Sequence, residues 1–245
     1  MKHGAARAGG RPGEPAAPGA PLTALLAGAT GLVGGECLRR LLASERYSAV
    51  IVVTRRDMGE HARHPKLKQY VTDFAQLGEL RPRLRAHHVF CALGTTMRKA
   101  GSRRAFREVD FEYPLRLAQL ARLEGATHFS IVSAVGANAR SPFFYSRVKG
   151  EVEDALLGMN WPSLAIFRPS LIAGARAESR PLERVSEGLL RLAPAAWQPV
   201  AAAEIAAAML AVALDSPPGV TIVESRDIAG RARAGTAEAG HYCDD

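Results

Sequence analysis

Apolar residues in this chain fall in short runs separated by stretches in which they recur every three or four positions. A run at 22–27 precedes a helix-periodic stretch that reaches Ala43. Further short apolar runs at 49–54, 69–72, 89–93, 128–132, 163–167 and 220–224 read as strands. A helix is expected over 104–124, where Phe106, Val109, Tyr113, Leu117 and Leu120 keep helical spacing. Two more are expected at 182–192 and in the alanine-rich 202–214, and Pro217-Pro218-Gly219 is a turn before the last strand. Strands alternating with helices predict an α/β fold: a doubly wound parallel sheet, Rossmann-like, in a single domain with helices on both faces. Right-handed crossovers then place ligands at the carboxyl ends of the strands.

Composition narrows this picture. A chain of 245 residues, 47% hydrophobic, supports one sizeable core. Residues 1–21 are rich in Ala, Gly, Pro and Arg, lack the apolar segment of a secretory signal and read as a disordered tail, with a transit peptide as the minor alternative. Residues 226–245, small and polar, read as a flexible tail. The domain is thus expected over 22–225, with a small substrate region after residue 168. No apolar run reaches membrane-spanning length, so no membrane partner is expected. Cys37, Cys91 and Cys243 form no disulfide framework and no metal-ligand spacing, which points to a reducing, cytoplasmic setting without metal. The net charge of +8 includes clusters at Arg81, Arg83, Arg85 and at Arg98, Lys99, Arg103, Arg104, Arg107. Solvated surface explains them most simply; a phosphorylated cofactor or an acidic ligand is the sharper reading. No helix-turn-helix, zinc-finger or RNA-binding signature accompanies the charge, so no nucleic-acid partner is expected.

Three features carry candidate chemistry. Gly28-Ala29-Thr30-Gly31-Leu32-Val33-Gly34 joins the first strand to the first helix. Glycines spaced by three let the chain turn tightly, let a pyrophosphate approach the backbone amides, and bring the helix close to the sheet. The helix N-terminus then faces the anion with unpaired N–H groups. Tyr145 and Lys149 form a YxxxK pair that shares one helix face, and a nearby ammonium favours the phenolate form of a tyrosine. Ser133, at the end of the fifth strand and twelve residues before the tyrosine, is placed to hydrogen-bond the same substrate oxygen. The second strand runs into Arg55-Arg56-Asp57. An arginine at this tip favours a ribose 2′-phosphate and an acid repels it, so NADP is expected ahead of NAD if the strand ends before Arg55.

Together these motifs resemble the short-chain dehydrogenase/reductase superfamily. The strings Cys91-Ala92-Leu93-Gly94-Thr95-Thr96, Lys99-Ala100-Gly101, Val109-Asp110, His128-Phe129 and Val148-Lys149-Gly150-Glu151-Val152-Glu153 are similar to its atypical group that includes the HIV-Tat-interacting oxidoreductase and bacterial relatives. The resemblance spans residues 22–224. It implies phosphate contacts from Gly28, Thr30, Gly31, Leu32, Val33 and Gly34, and 2′-phosphate contacts from Arg55 and Arg56. Asp73 and Phe74 would border the adenine, Gly94 and Thr95 the ribose, and Pro169 with Leu171 the nicotinamide. Tyr145 and Lys149 would be catalytic, Lys149 also holding the cofactor ribose. Two positions depart from the pattern. Ala134 stands where the group often has a second serine, and Asp110 where many superfamily members have asparagine.

The function expected is therefore an NADP(H)-dependent oxidoreductase acting on a small carbonyl or alcohol, with Tyr145 exchanging the proton. The alternative is a non-catalytic NADPH-bound sensor or interaction protein. A sugar-nucleotide epimerase is the weaker alternative, because about seventy-five residues between Lys149 and the tail leave little room for a large substrate cap.

Overall fold

The computed structural model describes residues 19–173 and 198–239. The helix expected at 182–192 and nearly all of the expected N-terminal tail lie outside the described residues. Seven parallel strands form one sheet: β1 (Leu22–Ala27), β2 (Tyr47–Thr54), β3 (Leu67–Val71), β4 (His88–Cys91), β5 (His128–Val132), β6 (Ser163–Arg168) and β9 (Gly219–Glu224). Their order is β3-β2-β1-β4-β5-β6-β9, with β7 (Ile172–Ala173) and β8 (Val200–Ala201) pairing separately. The order reverses between β1 and β4, and the crevice at the carboxyl ends of those two strands is where such sheets bind ligands.

Neighbouring strand residues face opposite ways, and both faces are covered. Leu26, Val52, Phe90 and Phe167 pack in one core with Val33 and Leu41 of α1 (Leu32–Ala43) and Ile205 and Met209 of α6 (Ala202–Asp215). Leu25, Ile51, Val89 and Ile166 pack in the other with Leu117 of α4 (Tyr113–Leu123) and Val152 and Leu156 of α5 (Phe144–Leu157). Central strands buried on both sides explain why the sequence shows unbroken apolar runs and not strict alternation.

Two elements differ from expectation. The segment read as one helix over 104–124 is built from α3 (Arg103–Arg107), a π-helical turn at Glu108–Glu112, and α4. The short α2 (Met97–Ala100), capped by the Thr96 hydroxyl, precedes it. The segment read as a flexible tail from 226 begins instead with α7 (Ser225–Ala239). Ile228 and Ala232, one turn apart, are buried in the α6 core, and that burial orders the segment.

Candidate active site

The glycine loop is shaped by its own sterics. Gly28 has φ +92°, and a Cβ there would lie 2.4 Å from the Ala92 carbonyl oxygen; β4 passes directly alongside. A Cβ at Gly34 would lie 2.0 Å from the Gly28 carbonyl oxygen, so this glycine is what lets α1 seat on the loop. Gly31 differs. Its φ is −83°, it is exposed, and a Cβ would meet only the Gly28 oxygen at 3.3 Å. The fold crowds this position far less than the other two, whereas an anion pressed against the backbone would require glycine. Gly31 is the N-cap of α1 and gives no side-chain cap, and the first turn holds no acid. An end of this kind suits a negatively charged group, so these residues could hold a dinucleotide pyrophosphate. Thr30 is exposed, Leu32 half-buried and Val33 in the core.

At the neighbouring strand, β2 stops at Thr54, so Arg55 is the first residue past the strand; it and Arg56 are exposed. The Asp57 carboxylate accepts the Gly59 N–H at 3.0 Å. Asp73 is exposed and accepts from the Ala75 N–H. The Phe74 ring is buried, stacked on Tyr113 with centroids 5.3 Å apart. Burial, then Asp73 and Glu108, hold the Tyr113 phenol above its ordinary pKa against Arg55 and Arg116. Tyr113, read from the sequence only as a helical packing position, is thus placed on the buried Phe74 ring.

The Tyr-Lys pair lies on the first two turns of α5. Tyr145 is 42% exposed, its ring 5.7 Å from that of Phe106 on α3. Lys149 is buried, and its Nζ lies 2.8 Å from Asp110 Oδ1. The π-helical turn carries Asp110 inward, and such wide turns recur at functional sites. The second Asp110 oxygen accepts the Thr95 N–H at 2.9 Å, and a Cβ on Gly94 would come within 3.5 Å of Oδ1. One carboxylate thus fixes both the ammonium and the loop after β4. Burial pulls the Lys149 pKa down, but Asp110 and then Tyr145 outweigh it and hold the amine above its ordinary value. Cys91 sits beneath this pair, where burial pushes its thiol up to about 12 and leaves it inert.

Ser133 is buried, and its hydroxyl donates to the Glu153 carboxylate. Glu153 also receives Arg168, Nη2 to Oε2 at 2.5 Å, and Arg168 reaches Glu224 at 2.9 Å. Pro169 is buried and Leu171 is half exposed. A cleft between the loop after β5 and α5 is lined by Asn138, Arg140, Asp154, Glu153 and Arg168, without Tyr145 or Lys149. The structure therefore brings Tyr145, Lys149, Gly94 and Thr95 together and engages Ser133 in a separate carboxylate network. Sequence reasoning missed Glu153 and Arg168, and it named Asp110 only as a departure from the superfamily's asparagine. The available signal was an acid set among the apolar positions of a helix, since a buried carboxylate requires a partner. Among the described residues no cluster of three metal-ligating side chains occurs, and no helix is long and apolar enough to cross a membrane.

Comparison with known proteins bears on the family and the fold. Protein HTATIP2 of Rattus norvegicus is 37% identical over 174 residues, covering 70% of this chain and 72% of its own. Protein FMP52, mitochondrial, of Lodderomyces elongisporus is 34% identical over 166 residues, covering 64% and 69%. Among solved structures, the Bordetella bronchiseptica enzyme WbmH in complex with NAD+ superposes with a TM-score of 0.65 at 18% identity over 84% of this chain and 76% of that one. The relatives named mitochondrial overturn the expectation of a cytoplasmic protein. Scattered cysteines argue against an oxidising compartment; they carry no address within the cell. Residues 24–152 match the NAD dependent epimerase/dehydratase family, and with the glycine loop, the Tyr-Lys pair and the 37% identical relative in place, the chain belongs to that family.

Proposed function

We propose that the protein is an NADP(H)-dependent oxidoreductase for a small carbonyl or alcohol substrate. The observation that carries this reading is the exposed Tyr145 phenol set above a buried Lys149, which Asp110 ties to the loop at Gly94 and Thr95. Bound along the glycine loop, the dinucleotide supplies hydride exchange at its nicotinamide ring. Gly28 to Gly34 hold the pyrophosphate, Gly94 and Thr95 the ribose side, and Pro169 with Leu171 the nicotinamide side. Tyr145 gives or takes the proton of the substrate oxygen. Lys149 holds the cofactor ribose and keeps positive charge beside the phenol. Ser133 joins the reaction only by exchanging Glu153 for the substrate oxygen.

The end of β2 supports NADP over NAD. Arg55 is exposed directly past the last strand residue, Arg56 follows it, and Asp57 is turned back onto Gly59 N–H. Asp73 and Tyr113 line the adenine side, with the Phe74 ring buried beneath Tyr113.

The test is NADPH oxidation with a panel of aldehydes, ketones and quinones by wild type and Tyr145→Phe. Turnover lost in the variant, at nearly unchanged NADPH affinity, is the expected result; turnover surviving the substitution overturns the mechanism. One observation favours the non-catalytic sensor: the Ser133 proton is committed to Glu153. Tight NADPH binding without turnover on the whole panel, and with Ser133→Ala unchanged in every property, would favour it.

A further inference from the structure

Five cations lie between residues 98 and 107, and they are not equivalent. Arg107 pairs with Glu151 and stacks over Phe111 at 4.3 Å. Arg104 has Glu108 at 3.4 Å. Arg98, Lys99 and Arg103 are exposed and, among the described residues, have no carboxylate within 4.0 Å. Of these three, Arg103 has an aromatic ring beside it. The Arg103 guanidinium lies 5.3 Å over Phe144, and Arg147 approaches the same ring at 5.9 Å. Phe144 directly precedes Tyr145, and Phe106 touches both rings, at 5.6 and 5.7 Å. Phe143 is 74% exposed next to them, and Met97 on α2 is also exposed.

Charge is distributed unevenly across this region. The floor is balanced, because Asp110 neutralises Lys149. On the exposed surface Arg98, Lys99 and Arg103 are without a carboxylate partner among the described residues, and Arg103 lies over the Phe144 ring next to Tyr145. A guanidinium stacked on a ring keeps its N–H fork free to bind a carboxylate or phosphate, and loses little entropy in doing so. Uncompensated charge at a mouth also concentrates molecules of opposite sign there. Building on the reading of Tyr145 as the proton-exchanging residue, we infer that the substrate carries an anionic group, a carboxylate or a phosphate, on an apolar or aromatic body that holds the reacting carbonyl. The anion rests on Arg103 and Lys99, the body lies against Phe143 and Phe144, and the carbonyl reaches Tyr145.

Three aldehydes that share one ring test this: 4-carboxybenzaldehyde, 4-formylphenyl phosphate and the neutral methyl 4-formylbenzoate. Each is titrated calorimetrically into the protein saturated with NADP+, and turnover is followed separately with NADPH. At least one anion should bind about tenfold tighter than the ester, the scale of one charge-assisted contact. The better anion assigns carboxylate or phosphate. Added salt and the double variant Lys99→Gln, Arg103→Gln should remove the advantage, while NADPH affinity stays as in wild type. Equal binding of anions and ester, no saturable binding of either anion, or an advantage that survives the double variant overturns the inference. So does a parallel loss of NADPH affinity, because the cations would then belong to the cofactor. Anion preference without turnover of any of the three leaves this inference standing and counts against the oxidoreductase reading.

Discussion

The Lys149–Asp110 pair does at residue scale what a YxxxK motif alone does not specify. Both groups are buried, so removing one charge leaves the other uncompensated in low dielectric. Asp110→Asn should lower the urea-unfolding free energy by roughly 3 kcal/mol, within the range for a broken buried pair. Glu36→Gln removes the exposed Arg39 partner and should cost less than about 1 kcal/mol. Equal effects of the two substitutions would show that Lys149 finds another counter-charge. At the other end of the groove, Arg55→Ala should erase most of the preference for NADPH over NADH. Losing one charge-assisted contact corresponds to about 1.5–3 kcal/mol, read by fluorescence titration of both nucleotides. A preference that persists in the variant moves the 2′-phosphate site away from Arg55. The Tyr-Lys pair and the arginine were legible in the sequence because residue type and spacing reveal them. The Asp110 contact was not, since it depends on where a helix places one acid in three dimensions.

At the scale of elements, the three glycines are not equivalent: a Cβ would clash with backbone at Gly28 and Gly34 and is crowded far less at Gly31. Gly31→Val should leave the protein folded and abolish dinucleotide binding, because the new side chain occupies the space of a pyrophosphate. Gly34→Val should instead destabilise the fold, since even a Cβ would stand 2.0 Å from the Gly28 oxygen. Circular dichroism and nucleotide titration on both variants separate the two roles; a Gly31→Val protein with wild-type affinity would assign all three glycines to the turn. The strands and the glycine loop were readable because apolar runs and backbone punctuation are local signals. The π-helical turn was not, because Phe106, Val109 and Tyr113 keep nearly helical spacing through it. The helix α7 was missed because Ile228 and Ala232 are the buried apolar residues of its described part, among small and charged neighbours that dilute the period. Ile228→Ala should therefore cost about 2–4 kcal/mol in urea unfolding, the usual loss for a buried aliphatic side chain. No measurable loss would return the segment to a loose tail.

Across the whole molecule, a buried polar seam crosses the sheet away from the glycine loop. His88 meets the Tyr47 hydroxyl at 2.7 Å, and His128 lies between Ser163 at 2.8 Å and Ser130 at 2.7 Å. Burial, aided by neighbouring positive groups, pushes His88 down to about 4 and His128 to about 3 from an ordinary 6.5. Both are neutral in the folded protein, so above pH 6.5 they cost nothing. Below it the unfolded chain takes up their protons first, and stability falls as pH drops toward the folded values. The slope is on the order of 1.4 kcal/mol per pH unit for each histidine. Urea midpoints should fall steeply between pH 6.5 and 4, and His128→Asn should flatten the curve; a flat wild-type profile would contradict this. The doubly wound architecture was legible because alternating strands and helices permit few topologies. The pairing of such side chains across the sheet was not, because register is fixed only when the whole sheet assembles.

The central claim is that the Tyr145 phenol works on a substrate facing a nicotinamide bound along the glycine loop. Transfer of deuterium from NADPH deuterated at both C4 positions to a carbonyl substrate, followed by mass spectrometry of the product, tests it most directly. Wild type should place deuterium on the former carbonyl carbon, and Tyr145→Phe should not, although it binds NADPH as well as wild type does. Product without deuterium, or deuterium transfer undiminished in Tyr145→Phe, would contradict the account.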